Sequence, residues 1–282
     1  MRASVRAAFL AFTEPLEGKV RHFYADVKGY VTIAIGNLVD DTVNEYPPES
    51  ALALPMRWSD GRPATRADIR EDWLRLKRDK LAAAKGWPRA SQITNLRLTE
   101  EDVNALVFRK LDSNDVELRK QYPDFEEWSA DAQLATISMA WAMGPHFGVP
   151  GPRRFPKLAA ALRARDFATA AKECFMTETG NPGLAPRNLA NRVLYTNAAI
   201  VERDGHSPAV LWWPRDLETS PIAKAPPTLP APVDDETEPV LVPSIPPRDG
   251  ARTVTPWDIV HPRVPLGRPR LDFPDDDPDS GA

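Results

Sequence analysis

Apolar residues recur with helical spacing over most of the first 200 positions. After Thr99, the residues Val103, Leu106, Val107, Lys110 and Leu111 keep one mostly apolar face through about Lys120, as an amphipathic helix does. Thr99 is the expected N-cap, with the acid Asp102 three residues on. Ser129 is placed to cap a second helix that is heavily apolar at Leu134, Ile137, Met139, Ala140 and Trp141, and Gly144 should end it. Lys157–Ala164 and Phe167–Phe175 fit two short amphipathic helices, and Pro186 suits the first turn of a last helix through Ile200. The strand-like exception is Val27–Val39, where Tyr30, Thr32, Ile33 and Ile35 favour β structure and Gly29 and Gly36 mark turns. A small hairpin beside a helical body predicts an α+β, mostly helical fold. Between Asp40 and Asn95 the pattern is interrupted by Pro47, Pro48, Pro55 and Pro63, followed by a basic amphipathic helix over Ile69–Ala84. That region is expected to be an insertion or an elaborated small lobe.

Charge divides the chain in two. Residues 1–215 carry 30 Lys+Arg and 27 Asp+Glu, about +3, whereas residues 216–282 carry 6 and 13, about −7, so the formal net charge of −4 averages unlike parts. From Pro214 onward proline recurs densely, with acids between, ending in Asp275-Asp276-Asp277-Pro278-Asp279. Proline removes backbone donors and favours extended chain, so such a segment buries little apolar surface against its ordering entropy. The expected organisation is a body over 1–215 and a Pro-rich acidic tail over 216–282, extended, disordered or draped over a partner. Val254–Val264, with Trp257, Ile259 and Val260, fits either a short docking motif or plain linker.

Several chemistries find no support. Cys174 is the one cysteine, so no internal disulfide forms, and a buried structural thiol is expected there. His22, His146, His206 and His261 lack metal-ligand spacing. No phosphate-binding loop or dinucleotide fingerprint is found, and neither metal nor cofactor is expected. The apolar stretch Val5–Phe12 is short and lacks a cleavage site, so no signal peptide is expected. No apolar run approaches the ~20 residues of a membrane span. The basic run Arg66–Lys85 reads as a solvated helix face rather than a nucleic-acid or membrane contact.

The informative stretch is Phe12–Asp41. It holds Leu16-Glu17-Gly18, then Phe23-Tyr24-Ala25-Asp26, then Gly29-Tyr30-Val31-Thr32-Ile33-Ala34-Ile35-Gly36-Asn37-Leu38. This resembles the phage-type lysozymes, the family of the T-even phage muramidase. In that family a glutamate ends the first helix, an aspartate follows nine residues later, and a threonine six after that on a Gly-Tyr-x-Thr-Ile-Gly-x-Gly hairpin. Here the spacings 17 to 26 and 26 to 32 match without a gap. Leu134–Gly148 is similar to the family's central helix, Phe155–Phe175 to its short helix pair, and Gly183–Leu194 to its closing helix. The resemblance covers about residues 7–200, interrupted at 40–95.

The resemblance implies a lysozyme-like fold of a β-hairpin lobe and a helical lobe, and cleavage of the β-1,4 bond between N-acetylmuramic acid and N-acetylglucosamine in bacterial peptidoglycan, with inversion. Glu17 would protonate the leaving oxygen, Asp26 would orient or deprotonate a water, and Thr32 would hold that water. Gly36, Leu38 and Trp141 would contact substrate, although core packing explains Trp141 equally well. This chain departs from the family pattern at three places. Pro15 is expected to kink or restart the first helix, with Thr13 as a new N-cap. Ala34 stands for the first glycine of the hairpin's second turn, and Asn37 for a histidine. A lytic transglycosylase, or a non-catalytic structural part of a phage tail or secretion particle docked through the tail, are the competing readings. Without a signal peptide, delivery to the wall would come by release, injection or secretion.

Overall fold

The computed structural model describes residues 1–26, 28–40, 45–148, 155–179 and 181–219. They form a mostly helical α+β unit with one small antiparallel sheet. All belong to the first of two units, Met1–Pro227; the second, Thr228–Ala282, with the expected docking motif, lies outside the described residues.

Helix α1 (Ala3–Glu17) is continuous. Pro15 sits inside its last turn without restarting it, and Thr13 is a fully buried helical residue rather than an N-cap. Proline is tolerated because only the final turn loses a donor. Gly18, at φ 75°, ends the helix and returns its N–H to the Glu14 carbonyl. The chain then forms a meander of β1 (Val20–Ala25), β2 (Val31–Ala34) and β3 (Asn37–Leu38), in the order β1-β2-β3. The expected hairpin is thus preceded by a further strand, β1, whose alternation is broken by a bulge between Val20 and Tyr24.

The region expected to be an insertion forms α2 (Glu49–Leu52), α3 (Arg66–Arg78) and α4 (Ala82–Ile93). The expected single helix over 69–84 is two helices, with α3 opened by a Thr65–Asp68 capping box and α4 kinked at Gly86. Both α3 and α4 pack on β1, with Trp73 of α3 edge-on to Phe23 of β1. On its other side the sheet meets α5 (Glu100–Gln121), which opens with the expected Thr99–Asp102 capping box.

Helix α6 (Ala130–Met143) is the centre of the body. Ser129 caps it, Gly144 ends it, and every residue from Ala130 to Trp141 is buried. A helix apolar all round is a core helix, and α1, α5 and the long last helix α9 (Ala185–Asp204) surround it. Between them α7 (Pro156–Arg163) and α8 (Phe167–Glu173) close the body. An aromatic cluster of Tyr122, Phe125, Trp128, Phe167 and Tyr195 fills the space beside α6. The body runs past residue 215: Leu217 is buried against Ile200, Val201 and Trp212, and its N–H donates to Asn197.

Candidate active site

Glu17 is the last residue of α1, where the helix meets the sheet. Its side chain is 26% exposed, and its Oε1 accepts from Arg187 Nη2 at 2.5 Å. Arg187 is 2% exposed and is braced by the Ser138 carbonyl and hydroxyl, at 3.3 and 3.0 Å. It lies in the first turn of α9, where the helix dipole disfavours a cation. A buried cation at that position is compensated here by Glu17; burial pulls its pKa down, and the glutamate charge opposes the shift.

The other carboxylate oxygen faces the turn between β2 and β3. A Cβ built on Gly36 would lie 2.8 Å from Glu17 Oε2 and 3.4 Å from Trp141 Nε1. Gly36 also holds φ +67°, so glycine is required both for its backbone and for the space it leaves. Trp141, at the end of α6, is 5% exposed and donates from Nε1 to the Ile35 carbonyl at 3.2 Å. Trp141 is thus a core side chain whose indole Nε1 lies beside the Gly36 turn.

Lys110 of α5 completes this wall. Its Nζ donates to the Gly36 carbonyl at 3.0 Å and sits 4.0 Å from the centre of the Trp141 ring, a cation–π distance. Burial pulls the ammonium down to about 8, with Arg187 adding to the shift and Glu17 opposing it.

Asp26 and Thr32 lie on the meander. Asp26 follows the end of β1, and its Oδ1 accepts from the backbone N–H groups of Lys28 and Tyr30 at 2.8 and 2.9 Å. One oxygen therefore shapes the turn, as aspartates at this position commonly do. No described residue donates to the other oxygen, Oδ2. Thr32 pairs with Tyr24 on one side and Leu38 on the other, so these three side chains form a row on one face of the sheet. Tyr24 links the two ends of the site: burial and the nearby charges of Glu17 and Asp26 raise its phenol above the ordinary tyrosine range. Leu38, at 57% exposed, ends the row in solvent.

The structure thus sets Glu17 and Trp141 against the Gly36 turn, and Asp26 and Thr32 around Tyr24. The sequence reasoning did not single out Arg187, Lys110 or Tyr24. Two of the departures from the family pattern also acquire a structural meaning. Ala34 adopts φ +59°, a conformation that favours glycine. Asn37 donates to the Leu106 carbonyl at 3.3 Å and ties β3 to α5.

Chemically, the site offers a partly exposed carboxyl group oriented by Arg187, a second carboxylate with one oxygen to which no described residue donates, a threonine on the same sheet, and an aromatic wall. Among the described residues no cluster of His, Cys, Asp or Glu could hold a metal ion, and no helix is long and apolar enough to cross a membrane. Cys174 is buried, and burial pushes its thiol up to about 11, away from nucleophilic use. No protein-family model matches the sequence, and no curated protein matches it.

Proposed function

We propose that this chain is a peptidoglycan hydrolase of the muramidase type, with a lysozyme-like division into a sheet-bearing lobe and a helical lobe, cleaving the β-1,4 bond between N-acetylmuramic acid and N-acetylglucosamine. The observation that carries this reading is the placement of Glu17: its partly exposed carboxyl is clamped by Arg187 on one oxygen and lies against the Gly36 turn with the other. A glycosidic oxygen seated against that turn would meet Oε2 as its proton donor. Asp26 and Thr32, on the meander that carries the same turn, would hold the attacking water. Asp26 uses one oxygen for the turn and keeps the other for a water proton. Such a division, acid on one side and water-activating carboxylate on the other, is what inversion requires. Lys110 and Trp141 would shape the wall against which the sugar ring rests.

Digestion of purified peptidoglycan by the full chain, read by mass spectrometry, tests this reading. The expected products are muropeptides with a free N-acetylmuramic acid reducing end. Products ending in 1,6-anhydro-muramic acid would instead make the protein a lytic transglycosylase, and intact peptidoglycan with a folded protein would point to a structural role.

A further inference from the structure

A second groove, of about 530 Å³, is lined by a separate set of residues: Lys19 and Arg21 around the start of β1, Arg57 and Trp58 from the loop before α3, Trp87 in α4, and Arg97 just before α5. Arg57 and Arg97 form an antiparallel bridge, with both backbone hydrogen bonds made at 2.9 and 2.8 Å. Residues opposed in this way project their side chains from the same face, and like charges so placed destabilise a pair.

Neither guanidinium has a carboxylate within ion-pair distance among the described residues. Arg97 donates to the Leu96 and Ser91 carbonyls and to Thr94 Oγ1, and Arg57 Nη1 reaches only the Gly61 carbonyl at 3.5 Å. Arg57 Nε is buried with no partner. The acids nearby are already engaged. Glu100 and Glu14 hold Lys19, Glu100 also lies 3.8 Å from Arg21, and Asp72, whose charge is felt at Arg97, is bonded to Arg75 and to the backbone of Asn95 and Leu96. His22, on the groove floor, is held neutral by burial, and the charge of Arg97 adds to that effect. Trp87 is 56% exposed and is set by the kink at Gly86 and by Pro88. The Trp58 ring lies under Arg62 at 5.3 Å.

We propose that this groove binds an anionic saccharide, with Arg57 and Arg97 taking a carboxylate or phosphate between them and Trp87 stacking on a sugar ring. Guanidinium forks offer paired donors to both anions, and an anion in the groove would supply the charged partner that neither arginine has among the described residues. An exposed indole beside a basic groove suits a pyranose face better than a simple inorganic ion. The chemistry of the groove does not depend on the muramidase reading; the expectation that the ligand comes from the bacterial wall does.

The test uses the full chain carrying Glu17→Gln, so that binding is measured without cleavage. Calorimetric titrations are made with the N-acetylglucosaminyl-N-acetylmuramic acid disaccharide, with a poly(N-acetylglucosamine 1-phosphate) teichoic acid fragment, with neutral chitotetraose and with a single-stranded DNA oligomer. The expected result is saturable binding of at least one of the first two, weakened tenfold or more by the double substitution Arg57→Gln/Arg97→Gln and by Trp87→Ala. Binding of chitotetraose should not respond to these substitutions. Preference between the disaccharide and the teichoic fragment identifies a glycan carboxylate or a polymer phosphate as the anion. Trp87→Ala alters an exposed side chain and keeps the test decisive if the double variant misfolds. The proposal is overturned if neither anionic saccharide binds, if its binding is indifferent to these residues, or if DNA binds through them more tightly than either saccharide. Hydrolysis by the wild-type chain is scored separately, so failure of the muramidase reading and failure of the groove are distinguishable.

Discussion

Two carboxylates at opposite ends of the helical body illustrate how the same chemical group is put to different ends. Asp131, in the first turn of α6, is fully buried and accepts from the backbone N–H groups of Trp212 and Trp213 and from Asn197 Nδ2, at 2.9, 3.0 and 3.0 Å. It staples the segment after α9 to the central helix. Burial pushes its pKa up to about 6 against the pull of those donors. Among the described residues Glu17 has one hydrogen-bond partner, Arg187, and its other oxygen lies against the Gly36 turn. The shifted pKa of Asp131 thus belongs to a structural group. Accessibility and an unsatisfied oxygen single out Glu17. At this fold, a closed hydrogen-bond shell marks a carboxylate that holds the chain together, and an open one marks a carboxylate that can act on something else.

Substitutions should separate the two, and the largest effect is expected at Glu17. Glu17→Gln keeps an acceptor for Arg187 but removes the proton donor, so peptidoglycan cleavage should fall by about 10²–10⁴-fold, while the unfolding temperature moves by only a few degrees. Steady-state rates and a thermal melt of the same preparation check both halves.

Gly36→Ala comes next. It forces a side chain into the left-handed region, at a cost of about 1–2 kcal/mol, and pushes a methyl group onto Glu17 Oε2. Because it displaces the carboxyl proposed as the acid, kcat should drop more than KM rises.

Asp131→Asn reverses the pattern. An amide nitrogen would face a backbone N–H, leaving buried donors unsatisfied at about 1–3 kcal/mol, with the activity of the folded fraction unchanged. Urea denaturation against pH sharpens this contrast. Asp131's folded pKa, about 6, lies above its ordinary value of 3.8. The folded state then binds the extra proton, so this residue's contribution to stability falls as pH rises from about 4 to 6. The slope it contributes should vanish in Asp131→Asn.

Lys110 provides a titration at the site itself. Its folded pKa, about 8, lies below the ordinary 10.5. The unfolded chain holds the proton more tightly, so the cost of the buried ammonium is relieved, and stability rises, as pH increases from about 8 toward 10.5. Loss of charge also weakens its contact with the Trp141 ring, so tryptophan fluorescence should change with a midpoint near 8. Lys110→Met should abolish that change, and Trp141→Phe should remove it as well.

The smallest effect is expected at Ala34. Ala34→Gly relieves the positive φ at the cost of glycine's extra backbone entropy, a net gain of roughly 0.5–1 kcal/mol, read as a modest rise in the melting temperature.

Local signals in the sequence were legible where physics is local. The Thr99–Asp102 box, the Ser129 cap, the Gly144 stop and the turns at Gly29 and Gly36 all depend on residues within a few positions of one another. Strand β1 was not legible, because the bulge between Val20 and Tyr24 breaks the alternation that marks a strand. The expected helix over 69–84 joined the end of α3 to the start of α4 because the divide at Asp79 falls within the apolar spacing of Trp73, Leu74, Leu76 and Leu81. Of the candidate site, Glu17, Asp26 and Thr32 were named from the resemblance to the phage-type lysozymes, but the groups that hold them could not be. Arg187 lies 170 positions from Glu17, and Lys110 lies 74 from Gly36. Only packing brings them together, and in the sequence each is one basic residue among many.

The most direct test of the central claim is digestion of purified peptidoglycan by the wild-type chain beside Glu17→Gln, scored by release of reducing ends per folded molecule. Steady release by the wild type is expected, with a loss of at least about a hundredfold in the variant. Equal release by both, with both proteins folded, would contradict it and remove Glu17 from the chemistry.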